Sequence, residues 1–470
     1  MPRMPCESLQ IWHHEHSSVS KAIRTAALIF GIGMLAAAPV ALTLSAPIIG
    51  GVAFAGSLLS LAAYAGFTAL DFFAPPHHNM KDHAFKPGEC PGGKLFYEGD
   101  VPILTLDADN PYLAGRAQGF LTGDAIYRLK RRFDFSLHTL LREPRAHQIP
   151  EIIDAIKRQI PEEYYREMEG LADGYNEWAK SVKMIGANQL SPEDIILFHL
   201  MPDSLHFDTE KNFKKPSPKQ RNAACTSIVD RDAERGIVFG RNMDWPSLGI
   251  AGTYSLVIHR KKAKTATVEI GIPGLVGTLT GMNESGLSIA MNVCIGNTTE
   301  IQGMPAMLYN RYLLEHCTDL PSARRFIENR SPLGAYHLTI ADPKEGQSFH
   351  FDQGELPFTT RRLEGREPLS VFNCRYENNP YAMGDVHYSR LRKKVLNAFY
   401  AQAQIEIPAE AIERGRLVEA SLSLPCINNY ETTHTVLMEP ATRAMKAAFD
   451  DAYSGKAPLL PIPTEKLFRI

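Results

Sequence analysis

Cysteine is scarce in this chain, and a strong net charge is absent. Seven cysteines stand in 470 residues, at positions 6, 90, 225, 294, 317, 374 and 426. They contain no CxxC and no metal-ligand spacing, which argues against a zinc site and against a dense disulfide framework. No metal or organic cofactor is therefore expected, and the cysteines other than Cys225 read as ordinary buried or free thiols. A net charge of −2 supplies no basic excess, so the overall balance implies no nucleic-acid partner. The length suits about two to three domains, or one large one.

A third lack is local. No charged side chain occurs from residue 25 to residue 70; Arg24 precedes the run and Asp71 ends it. A bilayer span needs about 20 residues, so this run suits two. Pro47 and Gly50-Gly51 offer a break between them. A signal h-region of about 7–15 residues is far shorter, and a buried helical pair would carry a clearer polar stripe. The run predicts a transmembrane helical hairpin over residues 25–73, after an N-terminal tail, 1–24. Arg3, Lys21 and Arg24 put the N-terminus in the cytoplasm by the positive-inside tendency, and a hairpin returns the catalytic part to that side. His13-His14-Glu15-His16 and His77-His78 flank the run and read as solvated juxtamembrane segments. Residues 74–100, rich in Pro, Gly, His and Lys, read as a linker.

Residues 101–224 read as a helical leader. Ile152, Ile153 and Ile156 repeat at helical spacing, as do Tyr165, Met168, Leu171, Ala172 and Tyr175. Ser191-Pro192-Glu193-Asp194 is a helix start. The polar, basic stretch 207–222 reads as an exposed loop. From Cys225 to the end, short strands joined by turns take over. Hairpins are predicted at 254–259 with 265–270, 279–282 with 287–292, 336–340 with 348–351, and 434–438 with 445–449. Helices are predicted at Ser322–Asn329 and Tyr388–Ala401, which argues for an α+β layered sandwich.

Cys225 opens the apolar run Cys225-Thr226-Ser227-Ile228-Val229. After a polar stretch comes Ile237-Val238-Phe239-Gly240-Arg241-Asn242-Met243-Asp244-Trp245. Two such runs read as a β-hairpin. With the turn centred near Ala233, Cys225 is expected opposite Arg241, with Asp244 just beyond. A thiol beside a guanidinium is a lowered-pKa thiol and a candidate nucleophile. The plainer reading makes Cys225 a small buried hydrophobe and Arg241–Asp244 a surface ion pair.

Cys-Thr-Ser-Ile-Val followed by Gly-Arg-Asn-Met-Asp-Trp resembles the mature start of the N-terminal-nucleophile amide hydrolases. Acid ceramidase and N-acylethanolamine acid amidase are nearest by pattern, with penicillin acyltransferase and the choloylglycine hydrolases more distant. The leader also resembles this group at Ala114-Gly115-Arg116-Ala117-Gln118-Gly119 and at Met168-Glu169-Gly170-Leu171-Ala172-Asp173-Gly174. The resemblance runs from about residue 101 to the end. It implies a four-layer αββα sandwich and autocatalytic cleavage between Ala224 and Cys225. It also implies roles. Cys225 supplies thiol and α-amine, Arg241 steadies the thiolate, and Asp244 holds the α-ammonium group. Asn292 and Asn373 donate to the oxyanion, and Arg390 supports the cluster by charge. After Asn292 this chain has Val293, where several ceramidase-like members carry a Glu. The implied substrate is an N-acylated lipid or small molecule. Hydrolysis and acyl transfer share the acyl-enzyme and stay open, as does a membrane scaffold with a decayed site.

Overall fold

The computed structural model describes residues 58–61, 84–140, 149–183, 189–204, 225–245, 250–294, 303–351, 358–365, 367–373, 389–406, 413–429, 431–449 and 458–468. The chain divides into two compact units. One comprises Met1–His78 with Leu248–Ile250, and of it little beyond the helical turn 58–61 is described. The other comprises Asn79–Ser247 with Ala251–Ile470 and holds everything that follows.

Two sheets form the centre of this second unit. The larger contains β1 (Gly88–Cys90), β2 (Gly93–Glu98), β3 (Val101–Leu106), β6 (Leu256–Arg260), β7 (Thr267–Gly271), β8 (Thr280–Asn283), β9 (Ser288–Val293), β10 (Tyr336–Ala341), β11 (Gly346–Phe351) and β12 (Thr359–Arg362), in that spatial order. Its β3–β6 pair is parallel. The smaller sheet has the order β13 (Leu369–Val371), β4 (Cys225–Asp232), β5 (Gly236–Asp244), β14 (Thr432–Glu439), β15 (Ala444–Phe449) and β16 (Leu460–Ile462).

Adjacent residues of the smaller sheet go to different cores, as the period of two requires. Val229, Phe239 and Val436 pack between the sheets against Val257, Val268, Met282 and Ala290 of the larger one. Their neighbours Ile228, Val238 and Leu437 pack on the opposite face. There they meet Leu396 and Tyr400 of α8 (Ser389–Glu406) and Val418 of α9 (Arg414–Ser421). On the far side of the larger sheet, Ile289, Met291, Leu338 and Phe349 join an apolar cluster with helical residues. The helices there are α1 (Pro111–Leu121), α2 (Gly123–Leu140), α3 (Ile149–Lys157), α4 (Glu162–Ser181), α5 (Pro192–His199), α6 (Ala306–His316) and α7 (Leu320–Asn329). The layers run helices, sheet, sheet, helices, as the resemblance implies.

The leader motifs have a steric explanation. Gly115 and Gly119 of α1 face the carbonyls of Glu167 and Leu171 in α4, and a Cβ there would stand 1.9 and 2.1 Å from those oxygens. Gly170 and Gly174 of α4 face Tyr112 and Arg116 in the same way, at 2.0 and 2.1 Å. Two glycine pairs, each at four-residue spacing, let the helix backbones touch. Even alanine would force them apart.

Two expectations are corrected. Residues 74–100 are not all linker: β1 and β2 lie within them, and β3 opens the segment read as a helical leader. Pro91-Gly92 is a hairpin turn, with Gly92 at φ +95°, so the punctuation taken for a linker joins two strands. Helices α6 and α9 escaped the sequence reading. In α6, Asn310, Arg311 and Glu315 are buried beside Leu308, Leu313 and Leu314, which erases its amphipathic period. Among the described residues no helix is long and apolar enough to cross a membrane. The run expected to form the hairpin lies outside the described residues except for 58–61, as do both histidine clusters and the basic loop 207–222.

Candidate active site around Cys225

Cys225 begins β4, and the β4–β5 register differs from the expected one by two residues. Cys225 pairs with Met243, and Arg241 pairs with Ser227. The cause is the turn. Asp232 Oδ1 accepts the backbone N–H groups of Glu234 and Arg235, both at 3.0 Å, and Gly236 takes φ +73°. This makes a three-residue loop with glycine in the left-handed position. A two-residue shift preserves the face of every side chain. Arg241 therefore remains beside Cys225, as a diagonal neighbour instead of a direct one.

Arg241 is 1% exposed and organises the inter-sheet side of the site. Its guanidinium donates to the carbonyls of Asn242 (3.1 Å) and Met291, and to Asn292 Oδ1 at 3.2 Å. Ser227, two residues after Cys225 and on the same face, donates to that same Oδ1 at 2.7 Å. Asn292 Nδ2 donates to the Val371 carbonyl at 3.0 Å. Burial, reinforced by the Arg241 charge, pushes His434 well below the usual imidazole range. His434 is thus a neutral neighbour, 3.1 Å from Thr280 Oγ1 through Nε2.

Asn373 reaches Cys225 because of strand register. Val371 pairs with Ser227 in the antiparallel β13–β4 ladder, so two residues on, Asn373 falls opposite Cys225. Its Oδ1 accepts the Cys225 backbone N–H at 2.6 Å, and its Nδ2 donates to the Val293 carbonyl at 2.8 Å. Arg390, the arginine named from the sequence, is exposed. The arginine that enters the cluster is Arg392, one helical turn beyond Ser389 and 1% exposed. Arg392 donates to the Cys225 carbonyl, to Thr226 Oγ1 at 2.9 Å, to Asn373 Oδ1 at 2.8 Å and to Ser389 Oγ at 3.1 Å. Helical spacing placed Ser389 and Arg392 on one face and was the available signal.

Asp244 ends β5, fully buried, where the pairing with β14 shifts between Thr432 and His434. Thr432 Oγ1 donates to it at 2.6 Å and Asn429 Nδ2 at 2.8 Å. Burial raises its carboxyl to about 6, against the opposing charges of Arg392 and Arg241 and these two hydrogen bonds. Asn429, in the loop before β14, and Thr432, the first residue of β14, lie almost 190 residues downstream, so nothing local to Asp244 announces them. Cys225 itself is 4% exposed and shares the apolar cluster of Met243, Leu275, Leu279, Met291 and Val293, with Trp245 packed against it.

The residues thus brought together are Cys225, Asn373 and Arg392 by direct contact, and Arg241, Asn292 and Ser227 on the adjacent inter-sheet face. Asp244 joins through the field of Arg392. This arrangement fixes both backbone polar groups of the residue carrying the thiol.

Comparison with known proteins bears on the same segment. The family model for acyl-coenzyme A:6-aminopenicillanic acid acyl-transferase matches residues 231–355, which include Arg241, Asp244 and Asn292. Comparison with curated proteins gives no match. Among solved structures, the Caenorhabditis elegans ortholog of N-acylethanolamine-hydrolyzing acid amidase aligns with a TM-score of 0.36 and 18% identity, over 46% of this chain and 93% of that one. Two variants of the conjugated bile acid hydrolase from Clostridium perfringens align with a TM-score of 0.36. Their identities are 14% and 15%, over 52% of this chain and 93% of theirs. Through residues 231–355 the chain resembles the N-terminal-nucleophile enzymes of the penicillin acyltransferase type.

Proposed function

We propose that this chain is a cysteine amidase that cuts itself between Ala224 and Cys225. It then hydrolyses linear amide bonds of N-acyl lipids of the ceramide or N-acylethanolamine class. The observation that carries this reading is the 2.6 Å hydrogen bond from the Cys225 backbone nitrogen to Asn373 Oδ1, with Arg392 on the Cys225 carbonyl. A cut before Cys225 turns that nitrogen into an α-amine whose acceptor is already in place. Such an amine has a reference pKa of about 7.7–8.0, suited to taking and returning a proton near neutrality.

The steps follow from those positions. Sγ of Cys225 attacks the acyl carbon while its proton passes to the α-amine, and the carbonyl oxygen becomes an oxyanion. The α-ammonium group then protonates the leaving amine as the C–N bond breaks, giving a thioester. Water, deprotonated by the α-amine, attacks the thioester and releases the fatty acid and the thiol. Asn292 and Asn373 are the assigned oxyanion donors. Each spends one of its two amide N–H groups on a backbone carbonyl, which leaves the second N–H for the oxyanion. The apolar cluster around Cys225 suits an acyl chain.

Incubation with an N-acyl amide followed by acid quench should leave an acyl group on the peptide that begins at Cys225, seen by mass spectrometry. Turnover without any such adduct under single-turnover conditions would sink the thioester. Acyl transfer is the second reading, because the family model matched is named for an acyl-transferase and the thioester is common to both. A scaffold with a decayed site is disfavoured by the intact set Cys225, Arg241, Asp244 and Asn373.

Asp244 gives the reading a pH signature. It must be charged to hold an α-ammonium group, so kcat/KM should fall as pH drops through its pKa. The limb should lie at about 6 or below, since the new positive amine favours the carboxylate. Asp244→Asn should lower turnover on the order of 100-fold and abolish this lower limb, leaving the separate limb of the α-amine at higher pH. An unchanged limb in the variant would assign it to another group.

The membrane part of the proposal rests on the uncharged run 25–70. It places the enzyme on a membrane, catalytic part facing the cytoplasm, with the site held near bilayer substrates. Deleting residues 1–73 should release protein that hydrolyses detergent-dispersed amides but works less well on bilayer-embedded ones. A full-length protein that stays in solution without detergent would overturn the anchor.

A further inference from the structure

The cysteines and histidines are scattered in sequence, yet the fold gathers three of them. Cys294 follows β9, His337 lies in β10 and His350 in β11. Their candidate ligand atoms all lie within 4.8 Å of one another. The neighbours Tyr336, Leu338, Phe349 and Phe351 belong to the helix-facing cluster, so His337 and His350 face the interior between the sheets. The two histidines are paired directly across the β10–β11 ladder, with ring centroids 4.4 Å apart and planes inclined by 31°. Relative exposures are 1% for Cys294, 0% for His337 and 5% for His350.

We propose that Cys294, His337 and His350 form a zinc site. One thiolate and two imidazoles are a borderline-soft donor set that suits this ion, with a fourth position left for water. Donor atoms of a tetrahedral zinc site stand roughly 3–4 Å apart, so the observed cluster needs only small side-chain rotations to close on an ion. A thiolate also offsets one of the two charges the ion would bring into a buried space.

Its place in the fold gives the ion a positioning role. His337 pairs across the ladder with Asn292, and Cys294 follows Val293, whose carbonyl receives the Asn373 amide. An ion there would clip the ends of three strands behind Asn292 and Asn373. The inference is independent of how Cys225 works, because it concerns binding alone.

Cobalt(II) is the probe, since a thiolate ligand gives it a charge-transfer band in the near ultraviolet. The full-length protein, stripped with chelator and dialysed, should take up one cobalt ion with that band, and zinc should displace it. The band should persist in Cys225→Ala and vanish in Cys294→Ser. Losing a second-shell partner costs a metal site about 10–100-fold in affinity, so His350→Gln, which removes a ligand, should cost about 100-fold or more. Zinc should also raise the Tm of wild type and not that of Cys294→Ser. Cobalt bound without the thiolate band, or no stoichiometric uptake by wild type, would overturn the site even if the variants failed to fold. A band that survives in Cys294→Ser would do the same.

Discussion

Cys225→Ala is expected to remain one uncut chain with no measurable amide hydrolysis. The wild type should separate into fragments ending at Ala224 and beginning at Cys225. The substitution removes the thiol that the proposed reaction uses to attack the carbonyl, both at the scissile peptide and at the substrate. The Cys225 nitrogen bond to Asn373 and the Arg392 bond to the Cys225 carbonyl are backbone contacts, so the variant should keep its fold. Denaturing electrophoresis, N-terminal sequencing and a melting curve together check this. A wild type that is fully active while uncut would end the N-terminal-nucleophile reading. A Cys225→Ala chain that still cuts would move the nucleophile elsewhere.

Arg392 and Arg390 separate the structural assignment from the one made on sequence. Arg392→Lys should lose turnover on the order of 100-fold, whereas Arg390→Ala should stay within about twofold of wild type. The reason is geometric. The Arg392 guanidinium reaches the Cys225 carbonyl, Thr226, Asn373 and Ser389 at once. A lysine keeps the charge but cannot present a planar fork to four acceptors. Lysine also avoids the uncompensated hole that alanine would leave, so a lost rate in a protein of near-normal Tm points to positioning of Cys225. Comparable losses at both positions, or a loss confined to Arg390→Ala, would restore the original assignment.

The hairpins were legible because their evidence is local. Asn283-Glu284-Ser285-Gly286 and the segment 342–346 carry turn chemistry between apolar runs, and the ladders β8–β9 and β10–β11 form across them. The helix at Leu320–Asn329 begins with an Asp319 capping box, again a local signal. Cys225, Arg241, Asp244, Asn292 and Asn373 were named from a resemblance carried by their flanking residues, which is again a local signal. Cys225, Arg241, Asp244 and Asn292 lie in strands, and Asn373 lies two residues past β13.

Register, contacts and assembly were not legible in this way. The shift that pairs Arg241 with Ser227 depends on Asp232 folding back on its own turn, which residue spacing does not encode. The choice of Arg392 over Arg390 depends on the rotation of α8 against the smaller sheet. That rotation is set by Leu396 and Tyr400 packing on Ile228 and Val238. Asn429 and Thr432 meet Asp244 only because β14 pairs with β5. Cys294, His337 and His350 come together only because β9, β10 and β11 are neighbours. The sequence by itself determined the chemistry available, a cysteine at a strand start among polar partners, and those hairpins and helices whose turn and cap signals are local. Tertiary structure alone decided which partners touch, because contacts between distant strands are set by packing and pairing, and these act across space without regard to separation along the chain.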